Sequence, residues 1–373
     1  QRALAVADPG RLLAAPPPVL IDEWQFVPQV WDRVRRAVDA DPSAGRFLLT
    51  GSSSPAERGT HSGAARVVDL RMRPLALAER IVQPPSVSLA ELLRGERTAV
   101  AGQSDVTLED YTEEVLCSGF PGLRGLPERA VRAQLDAYLR RVVDRDFPEL
   151  GRVVRNPTRL RRWMAAYAAA TATSTSFEKI RAAATGAEED TPAKTTVQAY
   201  RDVLERLFIV DDVPGWQHSR NHIKQLALPP KHHLADPALA ARLLGANYDT
   251  LLKGESPGPS IPRDGTLLGA LFESLVTLSV RVYARASEAT IGHLRTKAGR
   301  HEVDLIVERD DGKIVAMEVK LGAIPRDVET KHLKWLTEEL GDDLLDAVVI
   351  TTGRDAYRRE DGIAVVPAAL LGP

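Results

Sequence analysis

Three charged residues near the end of the chain have the types and the spacing of a metal-dependent hydrolytic site. Two apolar runs separated by a glycine-containing turn predict a β-hairpin over residues 302–320, with Asp304 in its first strand and Glu318 and Lys320 in its second. Because Glu318 and Lys320 are two residues apart, their side chains leave the same face of the strand. Two carboxylates can hold Mg²⁺ or Mn²⁺, and an ammonium group beside them can stabilise a developing charge or orient a water molecule. The pattern therefore predicts the cleavage of a phosphodiester.

This arrangement of Asp304, Glu318 and Lys320 resembles the core of the PD-(D/E)xK nuclease superfamily. That superfamily takes a further acid from a helix that precedes the hairpin, and Glu273 lies in an apolar segment of helical periodicity. The resemblance implies a C-terminal mixed-sheet nuclease-like domain in which Glu273, Asp304, Glu318 and Lys320 are catalytic. It also implies that Asp304 and Glu318 are the ligands of the metal ion.

The same hairpin has two less specific interpretations. In the first, it is an exposed hairpin with a cross-strand ion pair, which contributes little to stability. Asp304 argues against this interpretation, since an acid inside an otherwise apolar strand needs a buried partner. In the second, the nuclease fold is present but inactive, and the sequence leaves this alternative open.

A second group of polar residues follows two apolar strands near the N-terminus. A helix is predicted between these strands, and this order implies a parallel strand–helix–strand unit. Asp22 and Glu23 end the first strand, and Thr50 and Ser52 follow the second, at the edge where such sheets bind ligands. The alternative is a buried strand whose acids only cap the start of the next helix.

This N-terminal unit resembles the Walker B and sensor-1 strands of an AAA-type P-loop ATPase. The resemblance implies that Asp22 binds Mg²⁺, that Glu23 polarises the attacking water, and that Thr50 or Ser52 senses the γ-phosphate. Such ATPases also need the glycine-rich loop G-x-x-x-x-G-K-S/T, and this motif is not in the sequence. We therefore expect a truncated P-loop ATPase module with its Walker A part missing, which uses ATP only in a full-length form that includes the loop.

The middle of the chain is predicted to be helical, with one element that resembles a winged helix. A helix is predicted from about residue 193 to residue 207, and the turn at Pro214 and Gly215 is its candidate wing. Lys194 and Arg201 on this helix are candidate contacts for nucleic acid, and packing against protein is the alternative.

A basic segment just before Asp304 supplies further candidate contacts for a phosphate backbone. Its candidate residues are Arg295, Lys297 and Arg300, which would lie close to the acids of the hairpin. The alternative is a solvated loop, since isolated basic loops are common.

The order of motifs along the chain is similar to that of the prokaryotic AAA-type ATPases with a DUF4143 C-terminal region. The segments that carry this likeness are residues 63–79, 111–146, 195–216 and 230–236. The resemblance implies an α/β multidomain protein in three parts. These are the truncated parallel-sheet ATPase module (residues 1–80), the helical region with the winged-helix-like element (81–255) and the nuclease-like domain (256–373). It also implies self-association, because AAA-type ATPases often form rings.

Composition excludes several classes of function. The formal net charge is −2 over 373 residues, so a surface that binds nucleic acid must be local. Cys117 is the single cysteine, so neither an intrachain disulfide nor a cysteine-rich zinc site can form. No apolar run approaches the length of a membrane span. We therefore expect a cytoplasmic protein with no membrane partner and no disulfide partner.

Three functions remain in competition. The first is a nuclease that depends on Mg²⁺ or Mn²⁺ and acts at Glu273, Asp304, Glu318 and Lys320, with ATP coupling in a full-length form. The second is a nucleotide-regulated interaction protein whose nuclease-like domain is inactive. The third is a scaffold that binds nucleic acid through the winged helix and the basic segment.

Overall fold

The computed structural model describes residues 8–52, 65–80, 82–97, 99–150, 154, 156–185, 191–218, 228–263, 265–296 and 299–373. They belong to two compact units, residues 1–72 with 202–208 and residues 73–201 with 209–373. Each unit is described by itself.

The smaller unit contains the parallel strand–helix–strand predicted for the N-terminus. Strand β1 (Val19–Ile21), helix α1 (Gln29–Ala40) and strand β2 (Phe47–Leu49) follow one another, and β1 pairs with β2 in parallel. The side chains of Val30 and Val34 repeat at helical spacing and are buried against the strands. The predicted parallel arrangement is confirmed, and its sheet is two-stranded among the described residues.

The larger unit begins with short strands and a series of helices. In chain order these are β3 (Val87–Ser88), α2 (Leu89–Leu92), β4 (Gly102–Gln103), α3 (Leu108–Cys117), α4 (Glu128–Arg141), α5 (Phe147–Glu149), α6 (Pro157–Ala169), α7 (Phe177–Ala183), α8 (Lys194–Arg206), β5 (Gly215–Trp216), α9 (Pro237–Leu244) and α10 (Tyr248–Leu252). A π-helical segment, Val142–Asp146, joins α4 to α5. The last residues of α8 group with the smaller unit. The helical middle predicted from the sequence is thus present.

The C-terminal part of the larger unit is a mixed sheet with two long helices. It consists of α11 (Leu267–Ala286), β6 (Thr290–Arg295), β7 (Glu302–Glu308), β8 (Ile314–Val319), α12 (Lys331–Leu340), β9 (Leu344–Thr351), β10 (Asp355–Arg358), β11 (Ala364–Pro367) and β12 (Leu371–Gly372). The strand order of the main sheet is β4-β10-β11-β9-β8-β7-β6-β5, while β12 pairs with β3. The predicted hairpin is confirmed, because β7 and β8 are antiparallel.

Both long helices bury an apolar face. Leu333, Leu336 and Leu340 of α12 lie at helical spacing and pack into a cluster that includes Val303 of β7. Helix α11 is long and apolar enough to cross a membrane, but 83% of its most apolar window is buried inside the protein. The expectation that no apolar run approaches the length of a membrane span is therefore wrong for this segment, and its burial is that of a core helix.

One prediction about a loop is wrong. Gly215, predicted with Pro214 as the turn of a wing, begins β5 with Trp216, and β5 pairs in parallel with β6 at the edge of the main sheet. Arg295 of the basic segment is the last residue of β6, so that segment is not only a loop. A side chain at Gly292 of β6 would meet Trp216 at 2.8 Å, so the glycine allows the two strands to lie close together. Sequence periodicity missed β5 because it has two residues and its pairing partner β6 is distant along the chain.

The side chain of Asp236 connects two helices of the larger unit through hydrogen bonds. Its carboxylate is fully buried and accepts hydrogen bonds from the Ser118 hydroxyl (2.9 Å), the Gly119 amide (2.7 Å) and the Ala238 amide (2.8 Å). It therefore caps α9 and fixes the end of α3 with the same side chain.

We expect Asp236→Ala to lower the free energy of unfolding by about 3 kcal/mol, because three buried donors lose their acceptor. Asn247 is the matched control, since it caps α10 in an exposed position. Asn247→Ala should cost about 1 kcal/mol. Urea denaturation of both variants measures the difference, and equal losses would contradict the assigned role of Asp236.

His293 gives the larger unit a pH-dependent stability. The ring is 1% exposed, its Nε2–H donates to the Pro229 carbonyl oxygen at 3.0 Å, and burial, reinforced by Lys231, lowers the pKa of His293 to about 4. Since the unfolded chain takes up a proton near pH 6.5, stability is full above that pH and declines as the pH falls towards 4. We expect this group to account for a loss of about 3 kcal/mol by pH 4.

The variant His293→Gln tests this expectation, because it cannot titrate in this range. Whatever its stability at neutral pH, its slope of stability against pH between 6.5 and 4 should be shallower than that of the parent protein. His233 retains a lowered pKa through burial and keeps part of the slope. A slope equal to that of the parent protein would show that His293 does not cause the pH dependence of stability.

Candidate active site

The four residues predicted for the hydrolytic site come from one helix and two strands and meet in one cluster. Glu273 lies in the second turn of α11, Asp304 in β7 and Glu318 in β8, and Lys320 directly follows β8. The antiparallel register pairs Leu305 with Met317, so Asp304 and Glu318 are neighbours across the two strands.

Lys320 contacts both carboxylates of the hairpin. Its Nζ donates to Glu318 Oε2 at 2.6 Å and lies 3.7 Å from Asp304 Oδ2. Asp304 Oδ2 also accepts a hydrogen bond from the backbone amide of Val319 at 2.9 Å. The side chain of Asp304 is thereby fixed to the strand that carries the other two residues.

A second lysine, Lys231, joins the cluster, and sequence analysis assigned it no role. Its Nζ donates to Glu273 Oε1 at 2.8 Å and to Asp304 Oδ1 at 2.9 Å, and it lies 3.9 Å from Glu302 Oε1. The side chain is among the largest that are fully buried. Lys231 thus links α11 to β7 from inside the protein.

The signal that points to Lys231 is its burial, which is seen only in the structure. Lys231 opens the segment 231–241, in which every residue is buried, and a buried ammonium group requires carboxylate partners. The segment itself lies outside a regular strand and is held by paired hydrogen bonds between the backbones of Lys231 and Val213, both 2.9 Å. Periodicity therefore gave no indication of which way its side chain points.

The cluster contains more negative than positive groups. Four carboxylates, those of Glu273, Glu302, Asp304 and Glu318, face two ammonium groups. Glu318 Oε1 is buried and has no hydrogen-bond partner. Lys320 and Glu302 keep 27% and 31% of their side chains exposed, so the cluster borders solvent on their side.

The pKa values of the acids are displaced in opposite directions. Burial, with the neighbouring charge of Asp304, raises the pKa of Glu318 well above its usual range and that of Glu273 to about 7. Burial also acts to raise the pKa of Asp304, but the charges of Lys231 and Lys320 outweigh it and hold that pKa well below its usual range. Among Glu273, Asp304 and Glu318, Asp304 is therefore the acid that stays ionised down to the lowest pH.

The donor set fits a partly hydrated metal ion rather than an ion enclosed by protein. Among the residues that the structure describes, no group of three or more histidine, cysteine, aspartate or glutamate side chains is placed to hold a metal ion. Mg²⁺ is commonly bound by one or two carboxylates together with water molecules and substrate phosphate. Asp304 and Glu318 supply such a pair, and the unpartnered Glu318 Oε1 is an available ligand.

The polar residues predicted at the N-terminal sheet lie together at the ends of β1 and β2. Thr50 Oγ1 donates to Asp22 Oδ1 at 2.5 Å, and Ser52 Oγ donates to Glu23 Oε2 at 3.1 Å. Glu23 has a left-handed backbone conformation, with φ at 52°, where the chain turns out of β1. Their roles towards nucleotide and Mg²⁺ stay predictions.

The candidate contacts for nucleic acid are mostly engaged within the protein. Lys194 pairs with Glu178 at 2.7 Å, and Arg201 lies over the ring of Phe177 at 4.4 Å. Arg295 lies 3.6 Å from Glu302, at the border of the acid cluster.

The remaining two basic candidates differ in what the structure says of them. Arg300 is exposed, and Lys297 lies outside the described residues. The binding of nucleic acid at all five positions stays a prediction.

Comparison with known proteins assigns three segments to families. Residues 6–81 match an AAA domain, residues 108–250 a domain of unknown function (DUF8612) and residues 268–371 a domain of unknown function (DUF4143). The chain is 25% identical over 356 residues to the uncharacterized proteins Rv2008c of Mycobacterium tuberculosis and Mb2031c of Mycobacterium bovis, an alignment that covers 94% of this chain and 68% of each relative. No solved structure matches. The chain therefore combines an AAA-type domain with a DUF4143 region, as the order of its motifs predicted.

Proposed function

We propose that the C-terminal acid cluster hydrolyses phosphodiester bonds of nucleic acid with Mg²⁺ or Mn²⁺, and that the AAA-type domain couples this activity to nucleotide in a form that carries a P-loop. The observation that supports the proposal is the convergence of Glu273, Asp304, Glu318 and Lys320, from separate elements, on one cluster that borders solvent.

The chemistry assigned to the cluster is the attack of water on phosphorus. A divalent ion on Asp304 and Glu318 would polarise a phosphoryl oxygen and lower the pKa of a bound water molecule. Lys320 holds Glu318 in position and brings a positive charge to the solvent side, where the phosphate gains negative charge in the transition state. One P–O bond forms and another breaks, water supplies the hydroxyl group of the new phosphomonoester, and its other proton goes to the leaving oxygen.

Nucleic acid as the substrate is supported by the position of basic residues. Arg295 lies beside Glu302 at the border of the cluster, and the exposed Arg300 follows in the next turn. Arg295 also donates to Ser174, so a phosphate would compete with contacts that the side chain already makes. The net charge of −2 requires that affinity for the backbone arise from such local groups.

The nucleotide-binding role of the N-terminal module is the second part of the proposal. Asp22 would bind Mg²⁺, Glu23 would polarise water, and Thr50 or Ser52 would sense the γ-phosphate. Their hydrogen-bonded arrangement at the carboxyl ends of adjacent parallel strands supports these roles. The P-loop motif is not among the 373 residues, so the backbone amides that cradle the phosphates have no counterpart in this sequence.

A second candidate function is a nucleotide-regulated scaffold with an inactive nuclease-like domain. The observation that favours it is Lys231, because its ammonium group already neutralises Glu273 and Asp304. In this case the cluster stabilises the fold and binds no metal ion.

We expect the purified protein to cut DNA or RNA in the presence of Mg²⁺ or Mn²⁺. Asp304→Asn removes a metal ligand, and Lys320→Met removes the positive charge near the phosphate. Each should reduce the cleavage rate by about 10²-fold or more. Gel analysis of single-stranded, double-stranded and branched substrates, with and without EDTA, measures this.

The matched control is Glu308→Gln, which changes an acid at the other end of β7 and should leave cleavage unchanged. Cleavage that survives in Asp304→Asn would identify a contaminating nuclease. Intact substrate under every condition, with binding retained, would favour the scaffold.

We also expect this polypeptide to bind Mg-ATP too weakly to reach saturation at about 1 mM nucleotide, because it has no P-loop motif. Titration calorimetry with Mg-ATP measures this, and Asp22→Asn is the control for any heat observed. Tight binding that Asp22→Asn abolishes would show that the strand ends hold nucleotide without the loop.

A further inference from the structure

Lys231 occupies the place between Glu273 and Asp304 that a cation would otherwise take. Its ammonium group lies 2.8 Å and 2.9 Å from one oxygen of each acid, with a third carboxylate, that of Glu302, at 3.9 Å. The side chain is 1% exposed, so its charge is neutralised by these groups and not by water.

The position of this ammonium group is fixed from both ends. The backbone of Lys231 exchanges two hydrogen bonds with Val213, and two charged hydrogen bonds hold the Nζ. Movement away from the acids would leave an unpaired charge inside the protein, which is strongly unfavourable. Lys231 is therefore a permanent component of the cluster.

The two lysines divide the cluster into two parts. On one side Lys231 joins Glu273 to Asp304 Oδ1, and on the other Lys320 lies near Asp304 Oδ2 and Glu318. Asp304 contributes one oxygen to each side. In hydrolytic sites with two metal ions, the ions lie about 3.5–4 Å apart and share such a bridging carboxylate.

We infer that Lys231 is a built-in cation that replaces a second metal ion, so that the cluster takes a single divalent ion at Asp304 and the unpartnered Glu318 Oε1, on the side where the partly exposed Lys320 can give way to it. The inference deepens the proposed function and rests on its metal site. Lys231 is a positioning residue, because it holds Glu273 and Asp304 in place and lies too deep to contact substrate.

The test counts the Mn²⁺ ions bound per chain, by electron paramagnetic resonance and calorimetry, in the parent protein and in Lys231→Met. Only ions that are lost in an Asp304→Asn background are counted, which excludes binding to surface acids. We expect one ion in the parent protein and two in Lys231→Met. The double variant Lys231→Met with Glu273→Gln is the matched control, and it should return to one ion.

Thermal stability supplies a second readout that is independent of cleavage. Lys231→Met leaves Glu273 and Asp304 without their common partner and should lower the melting temperature. Mn²⁺ should then raise the melting temperature of this variant more than that of the parent protein, since the ion restores the missing charge.

Two results would overturn the inference: two ions in the parent protein, or equal numbers in the parent protein and a folded Lys231→Met.

If Lys231→Met does not fold, Lys231→Arg takes its place, because a retained positive charge should keep the count at one. A count of two in Lys231→Arg would then refute the inference. No ion in the parent protein but one in Lys231→Met would support Lys231 as the substitute cation while refuting the proposed function. No ion in either would refute both.

Discussion

The structure depends on the neutralisation of carboxylates that are buried where α11 meets the main sheet. Acids placed there are costly unless cations accompany them, and Lys231 and Lys320 supply two positive charges from opposite sides. One of these cations is sealed inside the protein and the other borders solvent. The chemistry available to the cluster therefore follows from how its charge is distributed, as much as from which residues are present.

Two other buried acids of the larger unit follow the same rule, whereas Asp236 is held by hydrogen bonds from a hydroxyl group and two backbone amides. Asp211 pairs with Arg73 at 2.8 Å and with Arg281 at 2.7 Å, and Asp346 pairs with Arg358 at 2.9 Å. These pairs use arginine, whose guanidinium group cannot lose its proton and which forms two parallel hydrogen bonds with a carboxylate. The acid cluster instead uses lysine, a compact charge that can be surrounded by several acids. This difference separates the structural ion pairs from the cluster that we propose as a metal site.

Sequence patterns predicted those parts of the fold that local periodicity determines. Two apolar runs separated by a glycine-containing turn were sufficient to predict the hairpin of Asp304 and Glu318, and helical spacing was sufficient to predict the helix of Glu273. Lys231 was not recognised, because its role arises from pairing with distant acids and its own segment has no period. The turn of a wing was predicted at Pro214 and Gly215, where the edge strand β5 begins, for a similar reason, since only its partner β6 makes it a strand. Long-range pairing of this kind leaves no local pattern to detect.

The backbone pairing of Val213 with Lys231 has a consequence for how this protein can be divided. The segment that matches DUF4143 begins at residue 268 and contains every acid of the cluster, whereas the lysine that holds two of them comes from the region before it. A fragment cut at that boundary would carry the acids without their inner counter-ion and would also lose the edge strand β5. The part of the chain that the acid cluster needs therefore extends across the family boundary. Truncation at that boundary would leave the buried acids without the positive charge of Lys231.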